Sequence, residues 1–524
     1  MRPDPLKTHR RHVFPAASAA VLAMLMATGC LLKTPPGASD LRDTTLAHAS
    51  LPAQWSSTAT GGAVGPGWLA SFGDANLEAL VVEALEHNVD LRIAAARVEQ
   101  ARGYAKAAGA SIYPSVSLLA RGGSNLSGDS SGLQGLLLSA SWELDLWGRV
   151  RSGRAAGEAQ YASAELDGEY ARQSLVALVA KSWFLATEAR LQKGIAEDMV
   201  RASESLVDLA RQRQQVGVGD EYDLAVAEAN LGGMRDTLRQ LELGYLQSQR
   251  ALEVLLGRYP AASLAAADAL PGLPPPVPAG LPSELLERRP DVVAAERRVA
   301  VAFNREAEAK AARLPTISLT ASGSNLTSEF FVLQDRENPV WSAGASLLAP
   351  IYRGGALQAQ VEIRSAEQKQ ALAEYARAGL RAFNDVENAL ASEATLQARE
   401  QLLVKAATDN ARALEFARQR YRIGAVDLRA VSQQQLALFA AQATLLRVQS
   451  EARVQRVNLH LALGGNFADG NEARAARHDS KDGGGRVKQD ARAEGCRDCG
   501  FAAPPSTLLT DGNLSAAAGN SSAK

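Results

Sequence analysis

The spacing of apolar positions along this chain changes period at definite places. Leu136, Leu138, Ala140, Trp142, Leu144 and Leu146 share one parity, and Leu137, Ser139, Ser141, Glu143 and Asp145 share the other. A period of two is that of a strand with one apolar and one polar face. Beyond Gly148 the alternation stops. From Val150 to Val216 the chain has no proline and is rich in Ala, Leu, Gln, Glu and Arg, which predicts one long helix. Trp147-Gly148-Arg149 is therefore a joint between a two-faced strand and a rod. A second joint of this kind is Ala349-Pro350-Ile351-Tyr352-Arg353-Gly354-Gly355.

Taken in order, residues 31–75 read as a loop-like tether with two anchoring aromatics, Trp55 and Trp68. Leu77, Leu80, Val81, Ala84 and Leu85 have helical spacing, and a second helix follows Asn88-Val89-Asp90 and runs to Ala110. The pattern predicts a strand over Ser115 to Arg121, a Gly/Ser/Asn/Asp loop, and the return strand Leu136 to Leu146. The long helix ends at Gly217-Val218-Gly219-Asp220, and another spans Tyr222 to Leu256, with Gly257 as its C-cap. Six prolines between Leu270 and Pro282 mark a stiff extended connector.

The series then repeats. Pro290-Asp291-Val292 answers Val89-Asp90-Leu91, and Leu314-Pro315 answers Tyr113-Pro114, each 201 residues later. Gly354 answers Gly148 at 206, while Gly424 answers Gly217 and Gly464 answers Gly257 at 207. The offset changes between the strands, so the second hairpin loop, Gly323 to Pro339, is the longer one. An insertion confined to a loop tip is what an internal duplication shows. The expected division is a leader over 1–29, a tether over 30–75, a first repeat over 76–260, the connector over 261–282, a second repeat over 283–466, and a disordered tail over 467–524.

Four two-faced strands result: Ser115 to Arg121, Leu136 to Leu146, Thr316 to Ser322 and Val340 to Ile351. Such strands form either an antiparallel sheet with one covered face or a membrane barrel. A rod of 67 residues is on the order of 100 Å long and cannot fold back to cover four strands. Four strands cannot close a barrel either, since about eight are the minimum. The barrel must draw strands from several copies, and two, three or four copies all satisfy the arithmetic.

Composition narrows the partners. Fifty-six basic residues balance fifty-seven acidic ones, which gives no reason to expect nucleic acid. Arg2, Lys7, Arg10 and Arg11 precede an apolar stretch from Phe14 to Met26, shorter than a membrane span, that ends in Ala27-Thr28-Gly29-Cys30. Small residues before a cysteine resemble the bacterial lipoprotein signal, which would make Cys30 the lipidated residue. Ala27 stands where Leu is usual, and an ordinary secretory peptide cut nearby is the alternative. Leu31, being no aspartate, points to the outer membrane by analogy. Cys496 and Cys499 form a C-x-x-C without the structured context that redox or zinc chemistry needs.

Three stretches together carry a family resemblance: Ser141-Trp142-Glu143-Leu144-Asp145-Leu146-Trp147-Gly148-Arg149, Ala251-Leu252-Glu253-Val254-Leu255-Leu256-Gly257-Arg258-Tyr259-Pro260, and Gly280-Leu281-Pro282-Ser283-Glu284-Leu285-Leu286-Glu287-Arg288-Arg289-Pro290-Asp291. They resemble the TolC-like outer-membrane factors, and within them the lipoprotein (NodT-type) branch that serves RND efflux pumps. The resemblance spans roughly residues 50–466. It implies a mainly α fold with β: a long α-helical coiled-coil barrel in the periplasm and four strands per chain in a shared, trimeric, twelve-stranded transmembrane β-barrel. It implies outer-membrane lipid, a periplasmic adaptor and an inner-membrane RND-type pump as partners. The glycine breaks become periplasmic tips, with Gly217, Asp223, Tyr421, Arg422, Gly424 and Asp427 as adaptor-docking residues. Family members carry an aspartate ring about nine residues past the second tip glycine. Here that position is Gln433, with Arg429 one turn earlier, so the gate is neutral or built from other residues.

No catalytic constellation is present. The six histidines are scattered, and there is no H-E-x-x-H, G-x-S-x-G or P-loop. Gly217-Val218-Gly219 follows a helix rather than a strand, so it is no dinucleotide loop. No enzyme, cofactor or metal is expected. A passive exit duct competes with a lipid-anchored coiled-coil rod without a pore, and the four paired strands favour the duct. A protein-secretion or metal-export duct of the same fold stays open, because cargo choice belongs to the pump.

Overall fold

The computed structural model describes residues 34–57, 62, 65–121, 134–327, 340–465 and 467. The expected leader with Cys30, the first hairpin loop, most of the second, and the tail with Cys496 and Cys499 lie outside them. The described elements are α1 (Ala38–Thr45), α2 (Ala75–His87), α3 (Val89–Ala110), β1 (Ser115–Arg121), β2 (Gln134–Leu144), α4 (Arg149–Gln215), α5 (Glu221–Leu255), α6 (Pro282–Arg288), α7 (Pro290–Ala311), β3 (Thr316–Thr327), β4 (Val340–Leu348), α8 (Ala356–Arg422) and α9 (Leu428–Ala462). Among the described residues no helix is long and apolar enough to cross a membrane.

The tether contains a helix that the sequence reading did not expect. Eight residues are too few to show a period, yet α1 is held at both levels. The Gly37 N–H donates to the Asp40 carboxylate at 3.3 Å. Leu41 is fully buried in a cluster with Leu286, Val299, Tyr375 and Ala382, so α1 lies on α8. Further along, the Trp55 indole donates to the Gly280 carbonyl at 3.1 Å, and Ser56 and Ser57 N–H groups donate to Glu387 at 2.7 and 3.0 Å. The tether is thus pinned along α8 rather than loose.

Strand ends differ from the pattern for identifiable reasons. β2 stops at Leu144, because the Asp145 carboxylate turns to accept from Val150 N at 3.0 Å and Arg151 N at 2.9 Å, capping α4. β4 stops at Leu348, two residues before Pro350, which has no N–H for a ladder. The residue that answers Gly148 is also corrected. Gly148 has φ 78° and precedes α4, while Gly355, with φ 83°, directly precedes α8. The offset is therefore 207 here as at the tips and between β2 and β4, so Gly354 answers Trp147.

The duplication is regular. α3 and α7 have 22 residues each, α4 and α8 have 67 each, and α5 and α9 have 35 each. In each repeat the shorter helices are spliced end to end beside the long one. The Asn88 amide caps α3 by accepting from Leu91 N at 2.9 Å and donates to the Leu255 carbonyl at the end of α5, also at 2.9 Å. Arg289 stands in the same place in the second repeat. It donates to the Ala462 carbonyl at 3.4 Å and pairs with Asp291 and Asp385 at 2.8 and 3.0 Å, although it is itself buried. The C-terminal dipole of one helix meets the N-terminal dipole of the next, which is favourable. Two spliced helices reach about 85 Å, close to the roughly 100 Å of α4.

Gly257 and Gly464 make the splices possible. Each has positive φ, 74° and 66°, and each lies against the backbone of the other helix end. A Cβ on Gly257 would meet the His87 carbonyl oxygen at 2.7 Å, and one on Gly464 would meet that of Arg288 at 3.1 Å. At Gly424, φ is equally positive but a Cβ would meet nothing within 4 Å. Gly424→Ala should therefore cost about 1–2 kcal/mol, the backbone term alone. Gly257→Ala should cost clearly more, because the splice must also open. Thermal unfolding of both variants in detergent checks this ordering.

Candidate functional site

The four strands form one antiparallel sheet in the order β1-β2-β3-β4. The register sorts every side chain to a face. Val116, Ala140, Ala321 and Ala343 align on one side, as do Leu118, Leu138, Gly323 and Trp341, and Leu144, Ile317 and Leu347. The other side carries Ser117, Ser139, Ser322 and Ser342, then Ser115, Ser141, Thr320 and Gly344, then Glu143, Ser318 and Ser346. Ser115 and Ser117 bond Ser141 and Ser139 at 2.8 Å, and Ser318 and Ser322 bond Ser346 and Ser342 at 2.7 Å. One face is apolar; the other is mainly hydroxyls and small residues, with Leu119 and Leu137 paired at one end and Leu348 at the other. That is the sidedness of a wall between lipid and water.

Aromatics hold the wall in place. A Cβ on Gly323 would come within 2.7 Å of the Trp341 ring, so the glycine is the seat of the indole. The Trp142 indole donates to the Ile112 carbonyl at 2.8 Å, and that of Trp147 to the Pro315 carbonyl at 2.6 Å. These two tie strand ends to the tops of neighbouring helices. Arg149 makes a two-pronged bond to Glu143, at 2.9 and 2.6 Å, across the joint. Among the described residues β1 and β4 are the edges of the sheet, each with strand pairing on one side only.

The glycine breaks lie at the opposite ends of the rods. Gly217 and Gly424 share a φ of 76°. Asp220 caps α5 by accepting from Asp223 N at 2.8 Å, and Asp427 caps α9 by accepting from Ala430 N at 3.0 Å. At an offset of 207, the counterpart of Asp427 is thus Asp220, not Asp223. Asp223 does something else: its carboxylate lies 3.5 Å from the hydroxyl of Tyr421, which is buried between the tips. Arg213 stacks on the Tyr421 ring at 4.9 Å and donates to its carbonyl at 3.2 Å. Arg429 bonds the Tyr222 hydroxyl and lies over that ring at 5.6 Å. Of the expected tip residues, the structure joins Asp223 with Tyr421, leaves Arg422 exposed, and places Gln433 exposed one turn beyond Arg429. Arg213, Asp220 and Tyr222 were missed. The repeat offset could have found two of them, since it pairs Tyr222 with Arg429 and Asp220 with Asp427. Val216, Val218 and Ile423 stand exposed at the ends, an apolar cap on each tip.

With wall, joint and tips in place, comparison with known proteins decides the family. Residues 80–258 and 281–465 match the model for the outer membrane efflux protein family. The chain belongs to that family. The pyoverdine export outer membrane protein OpmQ of Pseudomonas putida is 32% identical over 418 residues, covering 76% of this chain and 88% of OpmQ. The cation efflux system protein CusC of Escherichia coli O6:H1 is 30% identical over 408 residues, with 76% and 88% covered. The solved outer-membrane channel OprN superposes with a TM-score of 0.71 at 27% identity, covering 84% of this chain and 98% of OprN. This outer membrane efflux protein is a channel and not an enzyme.

Burial raises the Asp223 pKa, and the carboxylates of Asp220 and Asp427 add to the shift. The folded tip then holds that proton more tightly than the unfolded chain does. Its contribution to tip stability is present at low pH and is lost as pH rises through the raised value. Hydrogen exchange on either side of Gly217 and Gly424 should accordingly be slower, after correction for intrinsic rates, in mild acid than at neutral pH. Arg213→Ala, which removes both the stacking and the carbonyl bond, should speed exchange there more than Tyr421→Phe, which removes one long hydroxyl contact worth about 1 kcal/mol or less.

Proposed function

We propose that three copies of this efflux protein form the exit duct of a tripartite system, with twelve strands in the outer membrane and helical rods crossing the periplasm. Cys30 carries the lipid that anchors each copy. The tips at Gly217 and Gly424 dock end-on to a periplasmic adaptor, which joins the duct to an inner-membrane RND-type pump. Small molecules, drugs among them, pass through without chemistry. The observation that carries this reading is the direct run of each two-faced strand into a rod of about 100 Å, because nothing in a lipid-anchored rod would require such strands.

Docking rests on the tips. They are the far ends of the rods, they carry exposed Val216, Val218 and Ile423, and Asp223, Asp427 and Arg422 surround them with charge. Gln433 and Arg429 take the place of the carboxylate gate ring, so the narrowing there carries no acid at that position. Relatives are named for pyoverdine export, cation efflux and toluene efflux, so cargo differs among ducts of one fold. The pump sets the cargo in this reading.

Gly424→Val and Gly217→Val test the docking. A Cβ at either position meets open space, so the cost is confined to backbone strain of about 1–3 kcal/mol at a positive φ. The strands are far away along the rods. Both variants should reach the outer membrane as oligomers, yet drug resistance and cross-linking to the adaptor should fall. Parental resistance and cross-linking in both would refute docking at the tips.

A further inference from the structure

Midway along α4 the side chains sort to two sides. Trp183 and Phe184 are buried in one cluster with Trp68 and Phe72 of the tether, and the Phe72 and Phe184 rings are 5.1 Å apart. Arg190 bonds the Ala266 carbonyl and pairs with Asp268, both in the connector. Leu185, Glu188 and Gln192 project from the side away from tether and connector. There α4 is flanked by α5 and α9, and the three helices enclose a pocket of about 460 Å³. Leu185, Leu241, Phe439 and Ala443 form its apolar walls, and Glu188 and Arg447 are its charged groups. Apolar walls with a few polar groups, in a volume of roughly 300–1,000 Å³, are the usual make-up of a small-molecule site.

The rods do not need this pocket in order to pack. At the repeat offset of 207, Leu185 and Glu188 of α4 answer to Ser392 and Thr395 of α8, and Phe439 and Arg447 of α9 answer to Gly232 and Gln240 of α5. The same helices are therefore built in the other repeat with neither the apolar wall nor the two charges. Gly244 also lines the pocket, and a Cβ on it would meet nothing within 4 Å. Nearby on α4, Lys193 pairs with Glu197, whereas Glu188 and Arg447 have no ion-pair partner among the described residues. Burial raises the Glu188 pKa, against its hydrogen bonds with Ser450 and Gln192 and the charge of Arg447, while Glu451 adds to the rise. A carboxylate drawn part-way out of water gains from an incoming cation. Arg447 is exposed and equally free to take an anion.

We propose that this pocket binds a zwitterionic solute with an apolar body, its cation on Glu188 and its anion on Arg447. The body lies against Leu185, Leu241 and Phe439. A simple cation would leave Arg447 unmatched, and a simple anion would meet Glu188. A pocket of about 460 Å³ holds a drug-sized molecule and not a two-chain lipid. The tether fixes which way the pocket faces. It leads to the lipid anchor, and lipid lies outside the barrel, so the tether runs along the outside of the rods and the pocket opens to the bore. A zwitterion moving along the bore has a stopping place there. That placement rests on the exit-duct reading, while the binding itself needs only one copy.

Ciprofloxacin is a suitable probe, being a zwitterion at neutral pH with an apolar ring system and its own fluorescence. Titrated with the detergent-extracted protein, its anisotropy should rise to saturation. Gly244→Leu puts a side chain into the pocket at a helical position where leucine is the better helix former, so the fold is kept and the binding should be abolished. Glu188→Gln and Arg447→Gln should each weaken binding several-fold. Ethidium, a cation without an anion, should bind more weakly than ciprofloxacin and should gain from Arg447→Gln. Absence of saturable binding to the parent, or binding that survives Gly244→Leu, overturns the pocket. Ethidium binding as tightly as ciprofloxacin overturns the assignment of a zwitterion. Native mass of the extracted protein separates the two readings: a monomer that binds ciprofloxacin overturns the duct and leaves the site, and an oligomer that does not bind overturns the site alone.

Discussion

A peptide N–H or C=O inside hydrocarbon finds no water, and leaving it unpaired costs several kcal/mol. This chain places four strands with one apolar face into a single sheet whose two outer strands, β1 and β4, have no partner on one side among the described residues. The sheet cannot close on itself, because four strands fall short of the smallest barrel. Nor can it shed the problem onto its helices, which lead away from the sheet as rods. The strands alternate in direction, so β4 of one copy presents to β1 of another an antiparallel edge with matching faces. Association of copies is then a condition of residence in lipid rather than a later event.

The rods meet a related demand in water. A helix of 67 residues needs a neighbour along its length, yet the chain supplies helices of 35 and 22 residues for that side. The splices at Asn88 and Arg289 make two short helices serve as one, by bonding the last carbonyls of the lower helix to the capping residue of the upper. Two different side chains do this in the two repeats. Asn88 does so as a neutral amide. Arg289 brings a charge into a buried place and needs two carboxylates, Asp291 and Asp385, to hold it. The geometry is duplicated while the chemistry has diverged, as expected where the constraint is the end-to-end meeting and not the residue.

Elements with a long regular period were legible in the sequence. The four strands, the rods and the tip glycines came from alternation, from proline-free stretches and from glycine at matching offsets. What escaped was short or relational. Helix α1 shows no period in eight residues and exists because Leu41 fills a cluster on α8. The end of β2 depends on Asp145 turning from a strand position into a cap. Arg213 reads as one more arginine on a solvated rod, and only the approach of the second tip places it over Tyr421. The roles of Asp220 and Asp223 were exchanged, because sequence shows that an acid follows each tip glycine but not which acid caps the helix.

Hydrogen exchange at the two edge strands in a lipid environment tests the central constraint most directly. If copies close the sheet, amides of β1 from Val116 to Ala120 and of β4 from Trp341 to Leu347 will be protected to the same degree as those of β2 and β3. If the edge-facing amides of β1 and β4 exchange freely while β2 and β3 stay protected, the sheet remains open and the duct cannot be built this way.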